Sequence, residues 1–147
     1  MIYTSGDWCI DSDSILTRAV FDFMCKNSTF SQIKDVVVEV NQVDLTDDNA
    51  FGFCQVDEDG EFLIHIHNDL NSEEYAITLI HELVHVKQTL TGLLNHDRRE
   101  EEAVIWEKIL SKEFWETFKG KKDVLDYWEN QNNRIYALNP PITPLFP

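Results

Sequence analysis

The sequence is poor in positive charge. Lys and Arg number 12 against 27 Asp and Glu, so the formal net charge of the 147 residues is −15. Nucleic acids and anionic membranes are bound through clustered cations that contact phosphate groups. The shortage of cations therefore argues against both classes of partner. The acidic excess favours basic substrates or partners, although a well-solvated surface would also account for it.

Cysteine is also scarce. Cys9, Cys25 and Cys54 are far apart, and no two of them form a Cys-x-x-Cys pair. This pattern is typical of a reducing compartment and is not that of a disulfide scaffold. Residues 1–14 lack the basic and apolar regions of a secretory signal. No apolar run approaches the ~20 residues of a membrane helix. We therefore expect a cytoplasmic protein that is not membrane-bound.

Proline is absent until the end of the chain, where all four prolines occur. Because proline restricts the backbone and donates no hydrogen bond, this distribution predicts an extended, proline-rich tail over residues 139–147. Hydrophobic residues make up 43% of the sequence. A chain of this length and composition is long enough for one compact core. We therefore predict a single domain over residues 1–147.

Hydrophobic periodicity predicts an α+β fold. Apolar residues recur at helical spacing in 12–26, and the valine-rich segment 35–43 is typical of a strand. Two short strands, 51–56 and 61–67, flank the turn sequence DEDG and predict a hairpin. A capped helix is expected to begin near Asn71 and to end near Gly92. Two further helices are predicted over 98–118 and 122–131, which gives a layout typical of α+β proteins.

The most informative stretch is HELVHVKQ, residues 81–88. Residues four apart on a helix lie on the same face, so His81 and His85 can reach one metal ion. Imidazole pairs of this kind suit zinc. Glu82 lies one step around the helix, where it can take a proton from a water molecule at the metal without being a ligand. The motif predicts one zinc ion per chain.

Chance could also produce this spacing. The surrounding helix is strongly apolar, however, with Ile77, Ile80, Val84 and Val86 among its residues. Two histidines and a glutamate are costly in such a helix unless they are paired or bind a metal. The context therefore favours a metal site.

The His81-Glu82-Leu83-Val84-His85 sequence resembles the His-Glu-x-x-His motif of the zincin metallopeptidases. The stretch 81–88 is also similar to small metallopeptidase-like proteins of tailed phages. The resemblance implies a zincin-like fold: a small sheet with a hairpin packed on the motif helix, followed by further C-terminal helices. It also implies that an edge strand just before this helix pairs with an extended peptide, a place that strand 61–67 occupies in the sequence.

The resemblance also bears on the third ligand. The metzincin branch is excluded, because it needs glycine and histidine where this chain has Gln88 and Thr91. The gluzincin branch takes a glutamate from the next helix, in a Glu-x-x-Ala context that Glu100 matches here. Glu101 and Glu102 remain alternatives, since carboxylates also occur at solvated helix starts. His96 and Asp97 are further ligand candidates, placed in the linking loop. Val104 departs from the longer pattern, so the resemblance identifies no partner for His81.

Other polar residues have more than one interpretation. His65 and His67 alternate on one face of their predicted strand, where they could line a substrate cleft or form a second metal pair. The polar face of a half-exposed strand is the simpler interpretation. Tyr127 and Tyr136 could each stabilise a developing oxyanion, as a tyrosine does in many zincins, although core packing explains either residue as well.

These observations lead us to expect a gluzincin-like zinc endopeptidase. His81, His85 and Glu100 would bind zinc, and Glu82 would activate water for attack on a peptide or protein substrate. The alternative is a non-catalytic, zinc-stabilised binding module or virion accessory protein with the same fold. A zincin that clears proteins from DNA is disfavoured by the net charge of −15.

Overall fold

The computed structural model describes residues 1–5 and 11–118. Its elements in chain order are β1 (Ile2–Ser5), α1 (Asp11–Lys26), β2 (Val38–Val43), β3 (Gly52–Val56), β4 (Phe62–His67), α2 (Ser72–Thr91) and α3 (His96–Thr117). The α+β prediction is confirmed. The predicted helix 122–131 and tail 139–147 lie outside the described residues.

The sheet has four strands in the order β1-β2-β4-β3. Strand β2 runs parallel to both β1 and β4, whereas β3 and β4 form the predicted antiparallel hairpin. Helix α1 makes the crossover between the parallel strands β1 and β2, a connection that such pairs require. Strand β1 was not predicted. Four residues at the start of the chain are too few for a periodic pattern to show.

One face of the sheet carries the core. The register aligns its inward side chains in neighbouring strands, and all of them are almost fully buried: Ile2, Val38, Val40, Phe62, Ile64 and Ile66. They form one cluster with the apolar residues of α1 and α2. A buried hydrogen bond of 2.6 Å between Thr17 Oγ1 and the Tyr75 hydroxyl joins the two helices.

Helix α2 begins and ends as its sequence predicts. The Asn71 side chain accepts from Glu74 N, and Glu74 Oε1 accepts from Asn71 N, which completes a capping box. Gly92 ends the helix with φ of 80°, a left-handed conformation that favours glycine. Between these ends, α2 is buried on most sides, because it lies between the sheet and α3.

Helix α3 packs on α2 through a small apolar set. Ala103, Leu110 and Phe114 are its buried residues, and the small Ala103 side chain allows the two helices to approach closely. Asn95 caps the helix by accepting from Arg98 N. Within the described ranges, no helix combines the length and the apolar character needed to cross a membrane.

Candidate metal centre

Three side chains from two helices converge at the α2–α3 interface. The Nε2 atoms of His81 and His85 are 3.1 Å apart. The Glu100 carboxylate lies 2.9 Å from His85 Nε2 and 3.4 Å from His81 Nε2, through different oxygens. Together the three residues could hold a metal ion.

The chemistry of the donors fits a cation. His81 Nδ1 lies 3.3 Å from a Glu107 carboxylate oxygen, and His85 Nδ1 lies 2.7 Å from Gln88 Oε1. Both oxygens can only accept, so each Nδ1 carries a proton, and in the neutral ring each Nε2 keeps its lone pair. Two lone pairs and a carboxylate then face one point. Ligands bound ~2.1 Å from a tetrahedral zinc ion would lie about 3.4 Å apart, close to the separations of 2.9 to 3.4 Å seen here.

Gln88 holds the second histidine in this orientation. Its side chain is fully buried, and its Nε2 donates to Arg99 O at 3.0 Å and to Glu102 Oε1 at 3.2 Å. These two acceptors fix the amide so that Oε1 faces His85. Partners of this kind set the tautomer and the ring orientation of metal-binding histidines. Gln88 thus performs a positioning role that sequence comparison with the metzincins did not suggest.

The third-ligand alternatives separate clearly in space. Glu100 faces the histidines, Glu101 is exposed, and Glu102 contacts Gln88. His96 and Asp97 are exposed and form the first turn of α3, so their placement in a loop was wrong. Helix periodicity separates Glu101 and Glu102 from Glu100, because residues one or two positions apart on a helix lie on different faces.

Glu107 is the partner of His81 that the motif comparison did not identify. It lies seven residues, or two helical turns, after Glu100 and so returns to the same face. Burial lowers the pKa of His81, but the hydrogen bond to Glu107 and the charges of Glu82, Glu107 and Glu100 raise it, and the net shift is upward. For His85, burial dominates and lowers the pKa.

Glu82 lies beside the cluster and is not part of it. Its side chain is only 4% exposed. Burial raises its pKa from 4.5 to about 7, with Glu100 and Glu107 adding to the rise and His81 opposing it. A carboxyl group with this pKa can take and return a proton near neutral pH.

A cavity of about 370 Å³ opens next to His81 and Glu82. Its other walls come from the start of β3, from the first half of α2 and from Glu107 on α3. Gly52 permits this arrangement, because a Cβ atom there would lie 2.7 Å from His65 O and 2.9 Å from Thr78 Cγ2. The glycine therefore lets β3 approach α2 at the edge of the cavity.

The position of the edge strand corrects one expectation. Strand β4, predicted as residues 61–67, is paired with β2 on one side and with β3 on the other. It has no edge to offer a peptide. The edge nearest the cavity belongs to β3, whose outer side pairs with no other strand in the described parts of the chain.

His65 and His67 take no part in the cluster. His67 is 2% exposed, and its Nδ1 accepts from Leu45 N at 3.0 Å. His65 packs edge-on against Phe53, with 4.6 Å between ring centroids. The simpler interpretation of a half-exposed polar face is therefore wrong for His67, since the segment at Leu45 covers it. Tyr127 and Tyr136 lie outside the described residues.

Comparisons with known proteins provide no relative from which the role of this cluster could be inferred. No family model matches the chain, and neither a curated protein nor a solved structure matches it at a significant level. The chain is an α+β protein in which His81, His85 and Glu100 could hold a metal ion.

Proposed function

We propose that this protein is a zinc-dependent metallopeptidase of zincin type that hydrolyses peptide bonds in peptides or proteins. The observation that carries the proposal is the convergence of His81, His85 and Glu100 beside the buried Glu82. Two imidazoles and one carboxylate are a typical ligand set of catalytic zinc, which keeps its fourth position open. Structural zinc sites are usually closed by four protein ligands.

The protein side chains have separate roles in this proposal. Bound zinc would supply a Lewis acid that polarises a carbonyl group and makes water acidic near neutral pH. His81, His85 and Glu100 would hold the ion, while Glu107 and Gln88 keep the imidazoles oriented. Glu82 would take a proton from the attacking water and pass it to the departing amine.

The substrate would bind as an additional strand on β3. Among the described residues no strand pairs with the outer edge of β3, so its backbone groups could pair with an extended peptide, as in other cases of strand addition. Phe51 and Gly52, at the start of this strand, also line the cavity that His81 and Glu82 share. A peptide on this edge would therefore pass next to the metal ligands. In keeping with the net charge, we expect neither nucleic acid nor membrane as a partner.

A non-catalytic zinc-stabilised binding module is the second candidate. The favouring observation is that the cluster joins α2 to α3, so a metal ion would stabilise the fold even without turnover. The buried Glu82 disfavours it. A carboxylate of raised pKa costs stability, and a purely structural metal site has no use for it.

The substitution Glu82→Gln separates the two candidates. It preserves the shape of the side chain and leaves all three metal-binding groups in place. Zinc-loaded wild-type protein should cleave members of a broad peptide library, and the variant should cleave them at least ~10²-fold more slowly. Metal analysis should find about one zinc per chain in both proteins.

The exposed Glu73 on the same helix provides the control, because Glu73→Gln should change neither rate nor zinc content. If the zinc-loaded wild type cleaves nothing across peptide and protein libraries, the binding module is the better account.

A further inference from the structure

The cavity next to the metal site combines an apolar wall with unused negative charge. Phe51 and Ile77 contribute apolar surface. Ile77 is 37% exposed although most apolar residues of α2 are fully buried. An exposed apolar side chain in a concave site is available to a ligand, and a cavity of about 370 Å³ can enclose a long side chain.

Glu74 and Glu107 line the same cavity, and each has one oxygen occupied. Glu74 Oε1 accepts from Asn71 N at 3.1 Å, and Glu107 Oε2 faces His81 Nδ1 at 3.3 Å. The second oxygen of each carboxylate contacts no donor among the residues that the structure describes. Each can therefore accept a hydrogen bond from a ligand.

The lack of a hydrogen-bond donor for Glu82 is an independent indication that the cavity binds a ligand. Glu82 is a buried carboxyl group that lines the cavity and receives no hydrogen bond from the described part of the protein. The guanidinium of Arg99 donates to Leu93 O and Thr89 Oγ1 instead. None of the lining residues is Lys or Arg.

The negative charge would persist in the zinc-loaded protein. Glu74, Glu100 and Glu107 are three carboxylates besides Glu82, and a zinc ion carries only two positive charges. The cavity would therefore repel an acidic side chain and attract a cationic one, more strongly at low ionic strength.

We propose, resting on the peptidase function above, that this cavity binds a lysine or arginine side chain of the substrate next to the scissile bond. The methylene stem would pack on Phe51 and Ile77, as the stems of such side chains commonly do on apolar surface. The cationic end would reach the second oxygens of Glu74 and Glu107, where charge-assisted hydrogen bonds are stronger than neutral ones.

The test uses peptides that differ only in one residue next to the cleaved bond. Lysine, arginine, norleucine and glutamate are placed on either side of that bond, because norleucine matches the lysine stem without its charge. Zinc-loaded protein should show a kcat/KM at least about tenfold higher for lysine or arginine than for norleucine, and the ratio should fall as salt rises. Equal or faster cleavage of the norleucine or glutamate peptides at low salt would overturn the proposal.

A matched pair of variants tests whether this cavity causes the preference for a basic residue. Glu74→Gln removes the charge but retains the capping geometry, which glutamine also supports. It should reduce the lysine-to-norleucine ratio by about threefold to tenfold. Glu73→Gln, one residue away and outside the cavity, should leave the ratio unchanged. The same ratio in wild type and in both variants would overturn the assignment of this cavity.

Failure of the peptidase function can be told apart from failure of this inference. If no peptide is cleaved, the same uncleaved peptides serve as ligands in calorimetry with zinc-loaded wild type. Binding of the lysine peptide about tenfold tighter than the norleucine peptide, and dependent on Glu74, supports the cavity as a basic-residue site without turnover. Equal affinities overturn it.

Discussion

Two histidine pairs with similar sequence spacing have different environments in this molecule. His81 and His85 lie on helix α2, and His65 and His67 lie on strand β4. Both spacings place the two side chains on one side of their element. The helical pair has Nε2 atoms 3.1 Å apart, with a carboxylate 2.9 Å from one of them. The strand pair interacts with a backbone amide and an aromatic ring instead.

The neighbours of each pair account for this difference. Helix α3 brings Glu100 and Glu107 to the helical pair. The hydrogen bond to Glu107 and the charges of Glu82, Glu107 and Glu100 together outweigh burial and raise the pKa of His81, whereas burial lowers the pKa of His85. Burial is the main influence on the strand pair, and it lowers the pKa of both His65 and His67. A sequence spacing that places two histidines on the same side of an element is therefore not enough to form a metal site. A site also requires a third donor and groups that orient both rings.

The largest expected effect is a loss of zinc on substitution in the helical histidine pair but not in the strand pair. His85→Ala removes a ligand, so zinc content measured after dialysis should fall from about one per chain to near zero. His65→Ala should retain full zinc content, because His65 lies outside the cluster. Loss of zinc in His65→Ala, or its retention in His85→Ala, would contradict the assignment of the metal site to the helical pair.

A second prediction concerns the stability of the metal-free protein. Burial raises the pKa of Glu82 from 4.5 to about 7, so the folded state binds this proton more tightly than the unfolded state. The contribution of Glu82 to the free energy of unfolding should therefore fall as pH rises from about 4.5 to 7. Glu82→Gln cannot ionise, and above pH 7 it should be more stable than wild type by roughly 3 kcal/mol.

Chemical denaturation of chelated protein at pH 4.5 and pH 8 provides the measurement. The advantage of Glu82→Gln should be small at the lower pH and large at the higher pH. A constant difference between the proteins would show that ionisation of Glu82 is not its cause. Glu73→Gln is the control, since Glu73 is exposed.

The third prediction tests whether orientation matters for the helical pair. Glu107→Gln keeps an acceptor near His81 Nδ1 but removes the charge, and zinc affinity should fall by about tenfold to 100-fold. Competition with a chromophoric chelator would measure it. Glu101→Gln, on the exposed side of α3, should bind zinc as the wild type does. Equal zinc affinities for the two variants would mean that Glu107 does not help His81 to bind the metal ion.

The smallest expected effect belongs to the strand pair. His67→Phe leaves Leu45 N without its acceptor in a buried setting, which should lower the free energy of unfolding by about 1–2 kcal/mol. Zinc affinity should not change. A large drop in zinc affinity would show instead that the two pairs are coupled.

Much of the architecture follows from local sequence. Helix α2 has a capping residue, a long apolar pattern and a terminal glycine, so its limits were predictable from its own residues. The hairpin was predictable from its turn sequence for the same reason. Strand order was not, because β1 is short and its parallel partner is distant in the chain. The interior place of β4 is a consequence of that order.

For the candidate site, the sequence alone determined that His81 and His85 point the same way, because helical periodicity is a local property. The family resemblance favoured three adjacent glutamates as the third donor and left His96 and Asp97 as further candidates. Only the tertiary structure decided among them, since the rotation of α3 against α2 depends on which side chains pack between the helices, Ala103 among them. The same packing brought Glu107 to His81 and placed Gln88 between His85 and α3. Contacts between separate elements depend on the whole core, and no local pattern encodes them.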